Sequence, residues 1–369
     1  WLALDRTGAA ANSVYGATDE AYIADIYYAA SAQIVAKAAA VLGLEETRQN
    51  YQAIADRQWQ VVKEEYFTAT GRCAVKTQTG LVLALKYHLS DNERLTEQML
   101  RKLLRDNKNK LNTGFVGTPL LCNVLTEHGM TDLAYRLLLN EEYPGWLHEV
   151  KLGATTVWER WNSLDENGRI SSTGMNSLNH YSYGAVLEWI FRHVAGIDVT
   201  EQGPGGKMMR ISPKVDHKLG SASAVYDSAS GCYRCGWQIE NGDQITVTVT
   251  VPFGAKAQVI LPYAPDSVYH DTDNPLFETV ENGICCVKAG QYTVTYKAAS
   301  PLKKSYSVDS TLEDLLAEPA IRAFLSNMME VDMIPDLAYG LTLRQAAEAF
   351  AGGVSAEQAQ RLNALLEEF

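Results

Sequence analysis

The apolar residues of this chain change their spacing near residue 203. Before that point they recur at every third or fourth position, as in residues 19–42, which is the spacing of one face of a helix. After the Gly-Pro-Gly-Gly stretch at 203–206, apolar and polar residues alternate, as in residues 245–251, which is typical of strands with one buried face. The chain is therefore predicted to be mainly α-helical with a β domain.

Residues 1–198 are predicted to form helices arranged in antiparallel pairs. One helix is expected over 19–42, and the nearly all-apolar stretch 80–89 predicts a helix that is buried on most of its sides. Tight turns alternate with long loops rich in Gly, Trp and Asn, including 111–118 and 145–177. Helix pairs with long loops at one end favour an α/α toroid whose site lies on those loops, and a plain bundle or solenoid is the alternative.

Two further domains are predicted after the helical one. Residues 199–300 are expected to form an antiparallel β-sandwich, because short alternating strands are separated by Asn-Gly and Pro-rich turns. Residues 301–369 are expected to form a small helical tail, which is either a structural cap or a docking module. Ser or Thr stands three positions before Glu or Gln at four predicted helix starts, which predicts capping boxes: Ser90/Glu93, Ser310/Glu313, Thr342/Gln345 and Ser355/Gln358.

Charge and composition exclude several classes of function. Acidic residues number 44 against 32 basic ones, and no basic cluster provides the surface that nucleic acid binding needs. The sequence contains no run of about 18 apolar residues, so no membrane span is predicted. The histidines show no ligand spacing, and Cys232 and Cys235 lie in a predicted strand as buried thiols or an incidental disulfide, so we expect no metal and no cofactor. Localisation stays open, with the free cysteines favouring a cytoplasmic one.

The stretch GATTVWERWNSL, residues 153–164, places a carboxylate among tryptophans. Glu159 lies between Trp158 and Trp161, with Arg160 next to it. Glycoside hydrolysis needs a carboxyl group on each side of the scissile bond, and the apolar face of a sugar stacks well on tryptophan. Glu159 is therefore a candidate catalytic residue, and the alternative is a surface ion pair with Arg160 beside core tryptophans.

A second polar stretch, MNSLNHYSYGA at 175–185, leads into the last predicted helix of this region, 182–194. It contains Asn179 and His180. A histidine here can orient a carboxylate or bind a sugar hydroxyl, whereas a histidine near a helix start is more often structural. Asn179 and His180 are therefore candidates for the same site as Glu159.

Together these two stretches resemble the α-L-rhamnosidases of glycoside hydrolase family 78. The similarity extends to LNTGFVGTP at 111–119, to TDLAYRLLLN at 131–140, and to the opening WLALD, which is similar to the family's G-D-W-L stretch without its Gly-Asp. SASAVYDSASG at 221–231 resembles the start of the family's C-terminal β-sandwich. The resemblance covers about residues 1–298, and the WERW and NHY motifs together are specific.

The resemblance implies an inverting hydrolase that releases terminal L-rhamnose from glycosides or oligosaccharides. It implies that residues 1–198 are the C-terminal part of an (α/α)6 catalytic barrel. Glu159 would be the general base that activates water, His180 would lie in the sugar pocket as a supporting residue, and Trp1 would form a wall of that pocket. The other candidate substrate-binding residues are Trp158, Trp161, Arg160 and Asn179.

One part of the family pattern does not occur in this sequence. The family's general acid lies in an acidic segment resembling D-x-x-x-R-D-E, and these 369 residues contain no such segment. The chain is therefore expected to be a fragment that is weak or inactive on unactivated substrates. It is also expected to bind the missing N-terminal half of the enzyme or a second copy of itself, because half a toroid exposes apolar helix faces.

Two other functions fit the sequence. A different α/α-toroid hydrolase, acting on another sugar, would share the helices and long loops, since a fold does not settle specificity. A non-catalytic glycan-binding or assembly module would explain the missing acid but not the intact WERW and NHY motifs. Neither nucleic acid nor a membrane is an expected partner.

Overall fold

The computed structural model describes residues 1–8, 13–165, 167–171, 175–271, 273–328, 331–335, 338–350 and 352–367. The chain divides into two compact units. The first comprises Trp1–Ile239 with Ile245–Tyr296, and the second comprises Glu240–Gln244 with Lys297–Phe369. The order of helices, then sheets, then helices confirms the predicted fold class.

The helical part of the first unit consists of paired helices joined by turns and long loops. Its α-helices are α1 (Glu20–Val41), α2 (Glu45–Tyr66), α3 (Gln78–Lys86), α4 (Glu93–Asp106), α5 (Thr118–Glu127), α6 (Thr131–Leu138), α7 (Trp146–Lys151) and α8 (Val186–Trp189). Helix α3 is buried along its length, as its apolar composition predicts. Among the described helices, none is both long and apolar enough to cross a bilayer.

Side-chain hydrogen bonds show which residues cap the helices, and one of these caps differs from the sequence prediction. Asp19 accepts a hydrogen bond from the backbone of Tyr22 and caps α1. The capping box predicted at Ser90 is wrong, because Asn92 is the residue that caps α4. The Ser90 hydroxyl instead donates to the carbonyl of Gly71 at 2.6 Å, so a tertiary contact has taken the side chain that the pattern assigned to the cap.

The last helical segment of this part is less regular than predicted. A 3-10 turn over Ser182–Ala185 leads into the short helix α8, and Ile190–Val194 forms a π turn. The wider final turn is marked by the bond from the Ala195 amide to the Ile190 carbonyl, at 2.8 Å. The indole of Trp237 in the β domain donates to the carbonyl of Val194 at 2.7 Å, which ties this turn to the strands that follow.

The β domain has two sheets. Its strands are β1 (Ile197–Val199), β2 (Met208–Ile211), β3 (Ser221–Ser228), β4 (Gly231–Glu240), β5 (Gln244–Val251), β6 (Lys256–Ile260), β7 (Val280–Glu281), β8 (Ile284–Val287) and β9 (Gly290–Lys297). The sheet orders are β1-β2-β6-β8-β7 and β3-β4-β5-β9. The buried Tyr233 of β4 links the sheets, since its hydroxyl bonds the carbonyls of Gly206 at 2.7 Å and Lys256 at 3.0 Å.

The predicted antiparallel pairing needs one correction. Strands β2 and β6 pair in parallel, with Met208 opposite Lys256 and Ile211 opposite Val259. Parallel neighbours need a long connection between them, and here that connection is the set of strands β3 to β5, which belong to the other sheet. A hairpin-by-hairpin reading of the sequence cannot detect such a crossover.

The second unit holds its own apolar core. Its helices are α9 (Leu312–Ala317), α10 (Pro319–Ser326), α11 (Leu343–Phe350) and α12 (Ala356–Leu366). The buried residues of this core include Val308, Leu312, Leu315, Leu316, Ile321 and Leu325. Domain boundaries at 198 and 300 remain predictions.

The capping boxes of the second unit have a mixed outcome. Thr342 with Gln345 and Ser355 with Gln358 form both reciprocal hydrogen bonds, as predicted. At the start of α9 the cap is Thr311, which accepts from the Asp314 amide at 3.1 Å, so the predicted box at Ser310 is one residue out of place.

Candidate active site

Two hydrogen bonds join the WERW stretch to the NHY stretch. The amide of Glu159 donates to the carbonyl of Ser177 at 2.9 Å, and the amide of His180 donates to the carbonyl of Val157 at 2.8 Å. The hydroxyl of Thr156 also donates to the carbonyl of Leu178. Backbone hydrogen bonds therefore bring Glu159 and His180, which are 21 residues apart in sequence, onto adjacent segments of the chain.

Side chains reinforce this link on the far side of Glu159. The Ser163 hydroxyl donates to the side-chain oxygen of Asn176 at 2.6 Å. The side-chain nitrogen of Asn176 in turn donates to the Ser163 carbonyl at 2.9 Å. Arg160 donates through Nε to the carbonyl of Met175 at 2.9 Å. These bonds fix an irregular backbone that has neither a helix nor a sheet to hold it.

Glu159 and Arg160 are both buried, which excludes the predicted alternative of a surface ion pair. The Glu159 side chain is only 8% exposed. Arg160 is equally enclosed, and its Nη2 has no hydrogen-bond partner among the residues that the structure describes. A buried guanidinium nitrogen without a partner is costly, so Nη2 is an unsatisfied donor in the described structure.

The two tryptophans of the motif lie in the interior. Trp161 stacks on Tyr183 with ring centroids 4.0 Å apart and planes 9° from parallel. Trp146 meets Trp161 edge-on, with ring centroids 5.3 Å apart. The Trp161 indole N–H donates to the carbonyl of Thr113 at 3.4 Å. Trp158 is buried as well. Sugar contact by either ring remains a prediction, and in the described structure both rings are buried.

His180 lies at the edge of this arrangement, half buried. Its ring stacks on Phe115 at 5.1 Å, and its Nδ1 accepts from the Ser182 amide at 3.2 Å. That bond leaves Nε2 as the ring nitrogen available to a ligand. The neighbouring Asn179 is exposed.

The opening residues lie alongside the loop at 112–115. Leu4 donates to the carbonyl of Asn112 at 2.8 Å, and Phe115 donates to the carbonyl of Trp1 at 3.1 Å. Glycine is required at 114, because a Cβ there would come within 2.0 Å of the Trp1 carbonyl oxygen. Trp1 thus adjoins Phe115, whose ring contacts His180, so the three predicted residues Trp1, Glu159 and His180 belong to one region.

A small cavity of about 50 Å³ opens beside Trp1. Its lining includes Tyr15, Glu20, Thr79 and Gly114. The Tyr15 ring meets Trp1 edge-on at 5.6 Å, and both residues line the cavity. This volume suits a water molecule or one sugar substituent rather than a whole sugar ring.

Two residues near the site were not singled out from the sequence. Phe115 lies within the quoted LNTGFVGTP motif, so the motif was the signal, although nothing marked its ring as the partner of His180. Glu149 is a lone acid on the short helix α7, and no sequence pattern distinguishes it from surface acids. It is 4% exposed, and burial raises its pKa from the ordinary 4.5 to about 8.

Within the described ranges, no three His, Cys, Asp or Glu side chains come together as a metal site. Cys232 and Cys235 lie on strand β4 as free thiols. The chemically active side chains at the candidate site are the carboxyl of Glu159, the imidazole of His180 and the guanidinium of Arg160, of which Glu159 and Arg160 are buried.

Comparison with known families identifies two domains. Residues 1–194 match the model of the bacterial alpha-L-rhamnosidase 6 hairpin glycosidase domain, and residues 196–274 match that of the bacterial alpha-L-rhamnosidase C-terminal domain. The first match alone covers more than half of the chain.

Individual proteins give the same result. An alpha-L-rhamnosidase of Formosa agariphila is 36% identical over 270 residues, which are 72% of this chain and 29% of that protein. One from an Alteromonas species is 36% identical over 283 residues, which are 75% of this chain and 30% of that protein. The chain therefore spans less than a third of the length of these curated relatives.

A solved structure agrees in fold as well as in sequence. The alpha-L-rhamnosidase of Streptomyces avermitilis, crystallised with L-rhamnose, superposes with a TM-score of 0.67 at 32% identity, over 75% of this chain and 27% of that chain. The helical part and the β domain thus match the same family in the same order, and the chain belongs to the bacterial α-L-rhamnosidases of glycoside hydrolase family 78.

Proposed function

We propose that this chain forms the water-activating side of an α-L-rhamnosidase active site, with Glu159 as the general base. The enzyme would release terminal α-L-rhamnose from a glycoside or oligosaccharide with inversion. The observation that carries the proposal is the pair of backbone bonds that sets the buried Glu159 beside His180. Family membership supports hydrolysis of a rhamnoside but does not by itself assign these residues.

In the proposed reaction a water molecule attacks the anomeric carbon while the Glu159 carboxylate takes its proton. The glycosidic bond breaks on the opposite face, where a second carboxyl group protonates the leaving oxygen. The two carboxyl groups of such a pair stand roughly 6.5–9.5 Å apart, which leaves room for the water. A rigid backbone at Glu159 matters because a base that activates water must hold its place as the sugar distorts.

The other predicted site residues receive proposed supporting roles. The free Nε2 of His180 is placed to bond a sugar hydroxyl, since Nδ1 is occupied by Ser182. The unpartnered Nη2 of Arg160 is a donor for a hydroxyl or for a bridging water. Trp1 and Asn179 would border the sugar, and sugar contact by Trp158 or Trp161 would require movement of rings that are now packed.

We further infer that the general acid is supplied by polypeptide other than these 369 residues, because the family's acidic segment does not occur in them. The remaining part of the enzyme or a second copy of the chain would provide it. Helix α1 supports such a partner, since Tyr27, Ile34 and Val41 recur at seven-residue intervals and are between 38% and 87% exposed. An apolar stripe of this kind on a helix marks a face that normally packs.

The test compares two substrates of different leaving-group quality. The chain is incubated with 4-nitrophenyl α-L-rhamnoside and with an unactivated rhamnosyl disaccharide, and the first anomer released is identified by ¹H NMR. We expect the aryl rhamnoside to be cleaved first to β-L-rhamnose and the disaccharide to react poorly, because the disaccharide depends on proton donation. The change Glu159→Gln should lower turnover by about 10²- to 10⁴-fold, the usual contribution of a general base.

A matched control is Glu141→Gln, which removes one charge from an exposed residue close to the site in sequence. This variant should retain the activity of the unsubstituted chain. Turnover that survives Glu159→Gln would sink the assignment of the base. Rhamnose binding with no turnover of either substrate would instead favour a glycan-binding module, and turnover of other aryl glycosides but not the rhamnoside would favour a different sugar.

A further inference from the structure

A second cavity, of about 360 Å³, lies between helices α1 and α2 and the turn that follows α3. Cavities that hold small ligands in proteins have volumes of roughly 300–1,000 Å³, so this one is large enough for a single sugar ring. Its polar and aromatic lining residues are Gln33, Trp59, Lys63, Lys86, Tyr87 and His88.

This cavity is separate from the small one beside Trp1. On helix α3, Thr79 lines the small cavity and Lys86 lines the larger one, which places them about 10 Å apart along the helix axis. On helix α1, Ile23 lines the small cavity and Gln33 lines the larger one, about 15 Å apart. A single sugar ring is shorter than either separation, so one ring cannot occupy both cavities.

Two aromatic rings give the larger cavity an apolar surface. The centroids of Trp59 and Tyr87 lie 5.3 Å apart, with their planes at 33°. Tyr27 meets Tyr87 edge-on, with ring centroids 6.4 Å apart, so the Tyr87 ring packs against two neighbours. Trp59 and Tyr87 are both partly buried, which leaves some ring surface accessible. The C–H face of a sugar ring is apolar and stacks on a surface of this kind.

The same lining contains polar groups that the protein does not satisfy. The Gln33 amide, the Trp59 indole N–H and the Tyr87 hydroxyl have no hydrogen-bond partner among the residues that the structure describes. Four other tryptophans of the chain donate their indole N–H to protein acceptors. Donors and acceptors next to aromatic rings match a sugar, whose hydroxyl groups surround apolar C–H faces.

The lysines of the lining are already paired with carboxylates. Lys63 Nζ lies 3.0 Å from Asp91, and Lys86 Nζ lies 3.7 Å from Glu127. An anionic ligand would compete with these carboxylates for the lysines and be repelled by them, whereas a neutral ligand would not. The charges therefore favour a neutral sugar over an acidic sugar or a phosphate.

His88 occupies a backbone position that glycine adopts more easily. Its φ of 52° lies in the left-handed region, where Gly43 and Gly129 stand in the corresponding turns after α1 and α5. All three turns close with a bond from the next amide to the carbonyl five residues earlier. The His88 side chain is 73% exposed, and its Nδ1 lies 2.8 Å from Glu93, so Nε2 is the nitrogen open to a ligand.

We propose that this cavity binds one neutral sugar ring, stacked on Trp59 and Tyr87 and hydrogen-bonded by Gln33, the Trp59 indole and Nε2 of His88. The described lining contains no carboxyl group, so the site binds carbohydrate without hydrolysing it. It goes beyond the proposed function and does not depend on the role of Glu159.

The first experiment follows the Trp59 indole directly. The chain is labelled with ¹⁵N at the tryptophan indoles, which gives signals from seven residues, and the Trp59 signal is assigned with Trp59→Phe. It is titrated with methyl α-L-rhamnopyranoside, methyl β-D-glucopyranoside and D-glucuronate. We expect a saturable shift of the Trp59 signal with at least one neutral glycoside, at a Kd on the order of millimolar, because one ring makes few contacts.

Two results of this titration would overturn the proposal. The first is a Trp59 signal that neither neutral glycoside shifts. The second is tighter binding of D-glucuronate than of the neutral glycosides, which would overturn the class of ligand.

Substitutions then test the polar contacts. Gln33→Leu removes an amide at similar volume and should weaken binding about 2- to 10-fold, the usual worth of one hydrogen bond. Gln60→Leu is the matched control, because it removes an exposed amide of α2 that pairs with Glu64 outside the lining. Equal affinity of these two variants would overturn the site. If Gln33→Leu does not fold, His88→Gly takes its place, since glycine adopts this backbone conformation without strain.

Turnover of 4-nitrophenyl α-L-rhamnoside separates this proposal from the proposed function. Gln33→Leu and His88→Gly should leave kcat and KM unchanged, and Glu159→Gln should leave the Trp59 shift unchanged. If the chain hydrolyses no rhamnoside, the proposed function is lost, but the Trp59 titration still decides the second site. Loss of the Trp59 shift in Glu159→Gln would assign the shift to sugar bound near Glu159 and would overturn the second site.

Discussion

The motif loop and the helical tail bury different kinds of side chain on different kinds of backbone. The described residues between 153 and 183 bury Glu159, Arg160 and Ser163 on backbone with little regular structure. The tail buries aliphatic residues such as Leu315 and Ile321 on capped helices. The first region is held by hydrogen bonds between particular atoms, and the second by removal of apolar surface from water.

The difference shows where specificity and where stability reside. A hydrogen bond in a buried loop has one partner, so its loss leaves a polar atom unsatisfied. Apolar burial is shared among many neighbours and does not depend on protonation. We therefore expect the loop to be sensitive to pH and to isosteric changes, and the tail to be sensitive to the loss of volume alone.

The largest expected effect on stability lies in the tail. Leu315 is fully buried, so Leu315→Ala should lower the free energy of unfolding of the second unit by about 2–5 kcal/mol. Turnover of an aryl rhamnoside should be unchanged, because none of the proposed site residues lies in that unit. Urea denaturation with the activity assay checks both, and a parallel loss of activity would contradict the separation.

The next largest expected effect is the pH dependence of the free energy of unfolding of the first unit. The Glu149 pKa is raised on folding from 4.5 to about 8, so the folded chain keeps a proton that the unfolded chain has released. This contribution to stability is fully present below about pH 4.5 and is lost as the pH rises through about 8. The loss should be on the order of a few kcal/mol and should disappear in Glu149→Gln, measured by urea denaturation across that range.

A smaller effect is expected from the glycine that admits the opening residues. Gly114→Ala places a methyl group against the Trp1 carbonyl, so it should cost roughly 1–3 kcal/mol and displace Trp1. Gly340→Ala in the tail is the matched control, since its Cβ would meet nothing within 4 Å. Thermal denaturation and tryptophan fluorescence report the two changes, and equal behaviour of both variants would contradict the close approach.

The smallest effect concerns a helix cap. Thr311→Ala removes the acceptor for the Asp314 amide at the start of α9 and should cost about 1 kcal/mol. Thr311→Ser retains the hydroxyl and should be nearly neutral. Denaturation of the second unit measures both, and a larger loss from Ser310→Ala than from Thr311→Ala would support the cap that the sequence pattern had indicated.

Regular elements were predictable because their signals are local. The apolar spacing of α1, the buried composition of α3 and the boxes at Thr342 and Ser355 lie within a few residues of the structure that they specify. The cap of α4 was misplaced because Ser90 contacts Gly71, a residue distant in sequence. The parallel pairing of β2 with β6 was missed for the same reason, since it joins strands on either side of three others.

The candidate site shows the same contrast between local sequence signals and contacts made over long distances in the chain. The letters of the WERW and NHY motifs identified Glu159 and His180 as candidates, and their roles remain proposals. No local pattern showed that Trp161 would stack on Tyr183, that Phe115 would stack on His180, or that Glu149 would be buried. Each of these depends on the close approach of segments that are separate in the chain.

The sequence by itself therefore determined the kinds of element, their order and the family, because spacing and motif letters act over short stretches of chain. The tertiary structure decided which acid is enclosed and which ring is packed. Burial and hydrogen-bond partners depend on what approaches from elsewhere in the chain, and they set the charge of a group such as Glu149. That is why burial raises the pKa of Glu149, whereas Glu159, ten residues later in the chain, is proposed to activate water.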